Sequence, residues 1–329
     1  MSATITSRPD AVDVAPVPAG PRATVAVLVP CFNEAWSIAD VVTDFERALP
    51  EATVYVYDNN STDDTAVVAA KAGAVVRREP RQGKGHVMRR MFADVEADVY
   101  VMVDGDGTYD ARSARQMVDI LLAENLGMVV GARKPVDGST DAFRLGHTFG
   151  NRLFNRVGRL LFGPGFTDIF SGYRVMSRRF VKSFPLISSG FEVETELTVH
   201  AVEIAAPCLE VETPYGCRGE ESFSKLHTFR DGLRILRMAI SLFKDLRPMR
   251  FFGVLFGLFT VMALTLGIPV VAEYADTQLV LRFPTAILAA AVQTLGFIFL
   301  TAGIVLDSVS RARREARLLA YLAIPPPSP

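Results

Sequence analysis

The sequence has 329 residues, which is enough for one large α/β domain and an additional segment. Half of the residues are hydrophobic and the mean hydropathy is +0.25, yet 22% are charged, so we expect separate soluble and membrane parts. A net charge of −1 excludes a bulk attraction to nucleic acid, and three cysteines without a CxxC pair favour a reducing compartment without structural zinc.

The first part of the chain predicts an α/β domain behind a disordered tail. Residues 1–23 contain four prolines and lack the apolar core of a signal peptide, so we expect a disordered cytosolic tail. From residue 24 onward, β-branched runs alternate with stretches of helical periodicity, which predicts βαβ crossovers and a mainly parallel, doubly wound sheet. The predicted strands are 25–30, 54–58, 75–78, 99–104 and 128–131. The predicted helices are 37–49, 63–72, 85–93 and 111–123.

Three polar loops follow the predicted strands, beginning at Pro30, Asp58 and Asp104. Ligands of doubly wound sheets bind beyond the carboxyl ends of the strands, so these loops predict one shared binding edge. Asp104 and Asp106 supply the hard oxygen ligands that suit Mg²⁺ or Mn²⁺, which would neutralise a departing nucleotide diphosphate. Taken alone, Asp-Gly-Asp-Gly is also a common turn sequence, so the neighbouring motifs must decide between the two interpretations.

The last third of the chain predicts a membrane anchor. Residues 226–250 predict a basic amphipathic helix suited to a membrane interface, although the same pattern fits a helix packed on a soluble core. Two apolar runs, 251–272 and 283–306, are long enough to cross a bilayer. Gln293 in the second run predicts a hydrogen bond between helices, with substrate contact as the alternative. Both outer ends of this hairpin are basic, which predicts cytosolic termini and a cytosolic catalytic domain. The flanking arginines are Arg247, Arg250, Arg311, Arg313, Arg314 and Arg317.

Several motifs occur in a fixed order over residues 25–226. The first four are Pro30-Cys-Phe-Asn33-Glu34, Asp58-Asn-Asn-Ser-Thr-Asp63, Gly83-Lys84-Gly85 and Asp104-Gly-Asp106. This series resembles the family 2 glycosyltransferases, whose catalytic domain has the Rossmann-like GT-A fold. The later motifs are Asp168-Ile-Phe-Ser-Gly-Tyr-Arg174, Gly190-Phe-Glu-Val-Glu-Thr-Glu196 and Ser224-Lys225-Leu226. They look like the branch that loads sugars onto polyprenyl phosphates, namely the dolichol-phosphate mannose synthases and bactoprenol glucosyltransferases. The two apolar spans are similar to the layout of the latter.

The resemblance implies roles for the residues on the donor side. Asp106 would be the main metal ligand, and Asp104 would help to hold both the nucleotide and the metal. The residues that would contact base, ribose or nucleotide are Pro30, Asn33, Glu34, Asp58, Lys84, Asp104 and Asp106. Two positions depart from the family pattern. Thr108 stands where some relatives place an amide ligand, and Asn59 replaces one acid of an acidic pair, so the third metal contact and the base or ribose contacts stay open.

On the acceptor side, the resemblance implies phosphate binding by Arg133, Arg174, Arg218, Ser224 and Lys225. The planar fork of arginine fits phosphate oxygens, whereas lysine acts as a point charge. A solvated surface position is the alternative for these cations. Asp106, Arg133 and Lys225 are the groups expected to act in the transfer itself. For Asp168, pairing with a nearby arginine is the alternative to a role in the site.

These features together predict inverting, metal-dependent transfer of a hexose from a UDP- or GDP-sugar to polyprenyl phosphate at the cytosolic face of the inner membrane. The acceptor phosphate is largely dianionic near neutral pH, because its second pKa is about 6, so no strong general base is needed. The expected organisation is a tail at 1–23, a GT-A domain at 24–225, an amphipathic helix at 226–250, a hairpin at 251–306 and a cytosolic tail at 307–329. Small residues in the hairpin, Gly296, Ala302 and Gly303, would allow a homo-oligomer.

Alternative functions remain. A membrane-tethered subunit that binds nucleotide sugar without turnover would share the donor motifs, and so would a glycosyltransferase for another lipid acceptor. A processive polysaccharide synthase is disfavoured, because relatives of that kind carry Gln-x-x-Arg-Trp and the only tryptophan here is Trp36. A P-loop NTPase is excluded, since Gly83-Lys84-Gly85 lacks the hydroxyl residue after the lysine.

Overall fold

The computed structural model describes residues 23–135, 167–186, 193–216, 243–244 and 247–326. Its strands are β1 (Val25–Cys31), β2 (Thr53–Asp58), β3 (Val75–Arg78), β4 (Val99–Met102), β5 (Met128–Pro135), β6 (Arg174–Ser177) and β7 (Cys208–Tyr215). Its helices are α1 (Ile38–Ala48), α2 (Thr65–Lys71), α3 (Lys84–Asp94), α4 (Ser113–Ala123), α5 (Arg178–Ser183), α6 (Val193–Glu203), α7 (Pro248–Thr277) and α8 (Phe283–Leu322).

The seven strands form one sheet in the order β3-β2-β1-β4-β6-β5-β7. All neighbouring pairs are parallel except those of β6, which runs antiparallel to both β4 and β5. The predicted α/β domain with a mainly parallel sheet is therefore confirmed, and the five predicted strands are present. The strands β6 and β7 were not predicted. The four residues of β6 are too few to establish a periodic pattern, yet they separate β4 from β5.

The central strand β1 explains why the sheet is covered on both faces. All seven of its residues are buried, as expected for a strand of a parallel sheet with helices on both sides. Val27 and Val29 belong to the core under α1 and α4, together with Phe45. Leu28 belongs to the core under α3, α5 and α6, together with Phe180. Because helices cover both faces of the sheet around β1, the polar loops of the site lie beyond the carboxyl ends of the strands.

The two apolar helices α7 and α8 pack against each other as a hairpin, and both are long and apolar enough to cross a membrane. The amide of Gln293 donates to the Thr260 hydroxyl at 3.4 Å, which confirms the predicted bond between the helices. A Cβ atom at Gly303 would lie 2.9 Å from Cβ of Phe252, and Gly296 faces Phe259 in the same way. These two glycines therefore allow the two helices to approach closely within one chain, and a homo-oligomer stays a prediction.

The second helix does not end where the apolar run ends. Instead of stopping at residue 306, α8 continues to Leu322 and reaches the α/β domain, so most of the segment expected as a tail is helical. Charged residues end the apolar pattern there, but arginine, alanine and leucine are strong helix formers and prolong the helix. The predicted amphipathic helix lies almost entirely outside the described residues, as do residues 1–22 of the predicted N-terminal tail.

Candidate active site

The loops after β1 and β2 are tied together by Asn33. Register places Cys31 beside Asp58, so the chain leaves both strands at the same edge of the sheet. Asn33 adopts a positive φ of 56°. Its backbone N–H donates to the Ser61 hydroxyl at 2.9 Å, and its side-chain oxygen accepts from the Thr62 N–H at 2.8 Å. Asn33 therefore holds together the two loops at the sheet edge that is predicted to bind the nucleotide.

The second loop also explains the departure at Asn59. Asp58 is buried and accepts from the Ser61 N–H at 3.2 Å. Asn59 is buried as well: its amide nitrogen donates to the carbonyls of Glu79 and Arg81, and its oxygen accepts from the Gly83 N–H at 2.7 Å. Two donated bonds and one accepted bond require an amide, which a carboxylate cannot replace. Asn59 therefore holds the loop that leads into α3.

The turn between the two aspartates leaves room only for glycine. A Cβ atom on Gly105 would collide with the Glu34 carboxylate and would lie 2.6 Å from the Cys31 sulfur. The carbonyl of Gly105 accepts from the Ser37 hydroxyl at 2.6 Å, which fixes the turn to the start of α1. Gly107 follows with a φ of +69°, a conformation that L side chains adopt rarely. The sequence Asp-Gly-Asp-Gly is thus a turn here, and the turn presents its acids to the sheet edge.

Asp106 is 8% exposed and is oriented by Thr108. The Thr108 hydroxyl donates to the Asp106 carboxylate at 2.6 Å, and the Thr108 N–H donates to the same oxygen at 3.2 Å. Thr108 occupies the position where some relatives have an amide ligand. Here it orients the carboxylate of Asp106, the predicted main metal ligand.

Lys84 connects the turn to α6. Its ammonium group lies 2.5 Å from an Asp104 oxygen and 2.6 Å from a Glu194 oxygen. Both the Lys84 and Glu194 side chains are largely buried. Burial lowers the pKa of Lys84, but the two carboxylates outweigh it and the net pKa is raised. The sequence analysis placed Glu194 only inside a motif; the signal that it missed was the pairing with Lys84, 110 positions away.

Glu34 is a buried acid beside the turn. Burial is the main cause that raises its pKa to about 8; the hydrogen bond with Cys31 opposes the rise, and the charges of Asp104 and Asp106 add to it. One Glu34 oxygen has no hydrogen-bond partner. This acid-rich edge, with an unsatisfied carboxylate oxygen, suits a hard divalent cation. Among the described residues, no three histidine, cysteine or acidic side chains are grouped closely enough to hold a metal, so the remaining ligands would come from a bound diphosphate or water.

Arg133 lies at the carboxyl end of β5 and is already paired. Its guanidinium forms two parallel bonds with Asp168, at 2.7 and 2.8 Å, and lies 5.5 Å from the centre of the Tyr215 ring. Burial raises the pKa of Asp168, but Arg133 outweighs burial and the net pKa is lowered. Glu210 in turn accepts from the Asp168 N–H at 3.0 Å. The pairing expected as an alternative role for Asp168 is therefore present.

Arg174 is the predicted phosphate ligand that the structure places elsewhere. Its side chain is fully buried, and it donates to the carbonyls of Ser171 and Ile169 at 3.0 and 2.8 Å. It also donates to the Thr198 hydroxyl, which bonds to the backbone of Glu194. Arg174 thus supports the segment before β6 and helix α6 from inside the core, where no phosphate can reach it.

The remaining predicted residues divide into two groups. Pro30 is buried in β1 opposite Tyr57, so its part in the site is to shape the start of the first loop. Arg218, Ser224 and Lys225 lie outside the described residues.

A cleft of about 270 Å³ opens between α1 and the turn. Trp36, which is 53% exposed, and Tyr109 line it together with Asp40, Asp44 and Asp104. In the sequence, Trp36 served only as an argument against a processive synthase, and the cleft was not predicted.

Comparison with known proteins agrees with this geometry. Residues 26–184 match the profile of the family described as Glycosyl transferase family 2. The glycosyltransferase AglJ of Haloferax volcanii is 34% identical over 88% of this chain and 95% of its own length. Polyprenol monophosphomannose synthase of Mycolicibacterium smegmatis is 23% identical over 60% of this chain and 78% of its own.

A solved structure agrees with the fold. Glucosyl-3-phosphoglycerate synthase of Mycobacterium tuberculosis, in complex with Mg²⁺ and uridine diphosphate, superposes with a TM-score of 0.51 over 68% of this chain and 78% of that one, at 22% identity. The α/β domain thus has the GT-A fold of nucleotide-sugar glycosyltransferases. The chain belongs to glycosyltransferase family 2, and its relatives are consistent with the polyprenyl-phosphate branch, as the motifs predicted.

Proposed function

We propose that this glycosyltransferase moves a hexose from a nucleotide sugar to a polyprenyl phosphate at the cytosolic face of the membrane, with inversion at the anomeric carbon. The observation that carries the proposal is the combination of two parts in one chain. An acid-rich edge around Asp104 and Asp106 lies in a family 2 domain, and that domain continues into two apolar helices. A water-soluble acceptor would not need such helices.

On the donor side, the ordered loops around Asn33 and Asp58 would receive the nucleoside. Asp106, with Asp104, would hold Mg²⁺ or Mn²⁺. The complexes of the mycobacterial structural relative with Mg²⁺ and UDP, and with Mn²⁺ and UDP-glucose, support this assignment. When bound, the cation would neutralise charge on the departing diphosphate. Thr108 keeps the Asp106 carboxylate in one orientation, and Lys84 limits the charge that Asp104 presents before the donor arrives.

On the acceptor side, the nucleophile is a phosphate monoester that is already ionised. Its second pKa of about 6 removes the need for a general base, so the protein has to align two anions and screen their repulsion. Arg133 would exchange its two bonds with Asp168 for bonds with phosphate oxygens. Lys225, Arg218 and Ser224 would complete the phosphate site. Single in-line displacement then gives the inverted product.

The membrane part gives the acceptor access. Withdrawing a polyprenyl chain from lipid costs about 0.8 kcal/mol for every CH₂ exposed to water, so the site has to come to the lipid. The polyprenol-acting relative and the apolar helices support a lipid acceptor. The arginines outside both ends of the hairpin support cytosolic termini and a catalytic domain on the same side.

The test is transfer in membranes that contain the full chain. Radiolabelled UDP- and GDP-hexoses are supplied with polyprenyl phosphate, with and without Mn²⁺, and lipid-linked label is measured. We expect one donor class to label the lipid in a metal-dependent way. Label on a lipid other than polyprenyl phosphate would redirect the acceptor, whereas binding of donor without any labelled lipid would favour a non-catalytic subunit.

A further inference from the structure

The cytosolic end of α8 is a continuous extension of the second apolar helix. Asp307 marks the end of the apolar run, and the helix continues without interruption to Leu322. These sixteen residues, which we name the spacer segment, extend about 24 Å at 1.5 Å per residue. A continuous helix fixes both the distance and the relative rotation of the two parts that it joins, whereas a flexible linker fixes neither.

The far end of the spacer segment enters the core of the catalytic domain. Tyr321 is 6% exposed and belongs to the same buried cluster as Phe180 and Leu197. The guanidinium of Arg179 lies 4.3 Å from the centre of the Tyr321 ring, a cation–π contact. An aromatic side chain buried in this way contributes a large apolar contact area.

A second contact lies one helical turn before the first. Arg317 forms an ion pair with Glu203 at the end of α6, and both side chains are mostly buried. Residues four apart share one face of a helix, so Arg317 and Tyr321 form a single stripe. Residues on the opposite face of the helix, such as Glu315 and Leu319, are exposed. The contact therefore involves one face of α8 and fixes the rotation of this helix about its axis.

We propose that the spacer segment is a rigid strut, docked on α5 and α6 through Tyr321 and Arg317, which fixes the height and orientation of the catalytic domain above the membrane. The strut would hold the Asp104–Asp106 edge where a phosphate on a membrane-embedded lipid can reach it. This inference rests on the proposed function for its lipid acceptor. It assigns a positioning role to the spacer segment, which lies outside the family motifs.

The first test reverses the charges of the ion pair. Arg317→Glu and Glu203→Arg are measured singly and together, with Arg314→Glu as the exposed control on the same segment. In proteoliposomes with long-chain polyprenyl phosphate, each single reversal should lower turnover about tenfold, the double reversal should restore it, and the control should match the parent. With a short-chain isoprenyl phosphate in detergent, all four variants should stay within about twofold, because that acceptor diffuses to the site.

The second test changes the length of the strut. Two alanines inserted after Ser308 turn the docking stripe by about 200°, and seven residues restore its rotation but lengthen the strut by about 10 Å. Both insertions should lower proteoliposome turnover and spare the detergent reaction. Unchanged turnover in proteoliposomes, for the insertions or for Tyr321→Ala, would overturn the strut. An equal loss in both assays would also overturn it, since the contact would then only stabilise the fold.

A third readout does not depend on activity. Trypsin should cleave after Arg314 faster than after Arg317 in the parent chain, and Glu203→Arg should remove the protection of Arg317. Loss of that difference in the parent would contradict docking itself. If the parent transfers no sugar to either acceptor while the protection is present, the proposed function fails and the docking contact stands.

Discussion

The proposed donor and acceptor sides of the site are built differently. On the donor side, Asn33, Asn59 and Thr108 form hydrogen bonds that order the loops before any ligand binds. On the acceptor side, Arg133 is neutralised by Asp168 and Arg174 is buried in the core. The comparison indicates a preorganised donor site and an acceptor site whose cation must change partners. The order of binding, donor first and lipid phosphate second, would follow from this difference.

The largest expected effect is on the donor side. Asp106→Asn keeps an oxygen that can accept from Thr108 but removes the charge that a metal needs. We expect turnover to fall about a hundredfold to a thousandfold, with membrane insertion and thermal unfolding unchanged. Turnover is measured against Mn²⁺ concentration. An unchanged dependence of turnover on Mn²⁺ would contradict Asp106 as a metal ligand. It would also contradict the proposed structure of the donor side.

On the acceptor side, Arg133→Ala should lower turnover with the lipid phosphate about a hundredfold, because a charge-assisted, bidentate contact is lost. Binding of free nucleotide, measured by calorimetry, should stay at the level of the parent chain. The matched variant is Asp168→Asn, which leaves Arg133 in place without its charged partner and should impair turnover less. An equal loss of nucleotide binding in Arg133→Ala would show that the two sides are not separate.

A smaller effect is expected at Glu194, which contacts the donor side through Lys84. Glu194→Gln leaves Lys84 with Asp104 as its one charged partner among the contacts described here, so Lys84 should compete with the donor for that acid. We expect the KM for the nucleotide sugar to rise about tenfold with kcat little changed. The control is Glu212→Gln, which removes an exposed pair with Lys134 and should have no effect. A fall in kcat alone would place Glu194 on the acceptor side instead.

The last expected effect concerns stability rather than turnover, at the other end of α6. Burial lowers the pKa of His200 to about 4, and Arg317 contributes to the shift. The unfolded chain, with an ordinary value of 6.5, therefore binds this proton first as the pH falls. The stability that neutral His200 contributes is complete above pH 6.5 and is lost toward pH 4, up to about 3 kcal/mol. Thermal unfolding should show this loss, and His200→Gln should flatten it; an identical pH profile would exclude His200 as its source.

The donor side was largely predictable from the sequence. Asp104 and Asp106 follow an apolar strand, and strand ends in a parallel sheet meet at one edge, so their proximity to Asp58 needs no coordinates. The roles of Asn59 and Thr108 were not predictable, because a substitution within a motif does not reveal which backbone groups the new side chain satisfies.

The acceptor side and the strut were less predictable. Arg174 occupies a motif position, but no local pattern distinguishes a buried arginine from one that faces a ligand. The ion pair of Lys84 with Glu194 joins distant parts of the chain, and only the fold shows it. For α8, the signal was present in the spacing of Arg317 and Tyr321 along one helical face, but the arginine-rich composition favoured a solvated tail.

The proposed function depends on a nucleophile that arrives already ionised and is bound by cations of the site, Arg133 among them. The most direct measurement compares polyprenyl phosphate with the corresponding polyprenol, in proteoliposomes with the same nucleotide sugar. The account predicts transfer to the phosphate alone, with inversion at the anomeric carbon as determined by NMR. Transfer to the alcohol at a comparable rate would contradict the proposed function, because an alcohol nucleophile has to give up its proton to a general base.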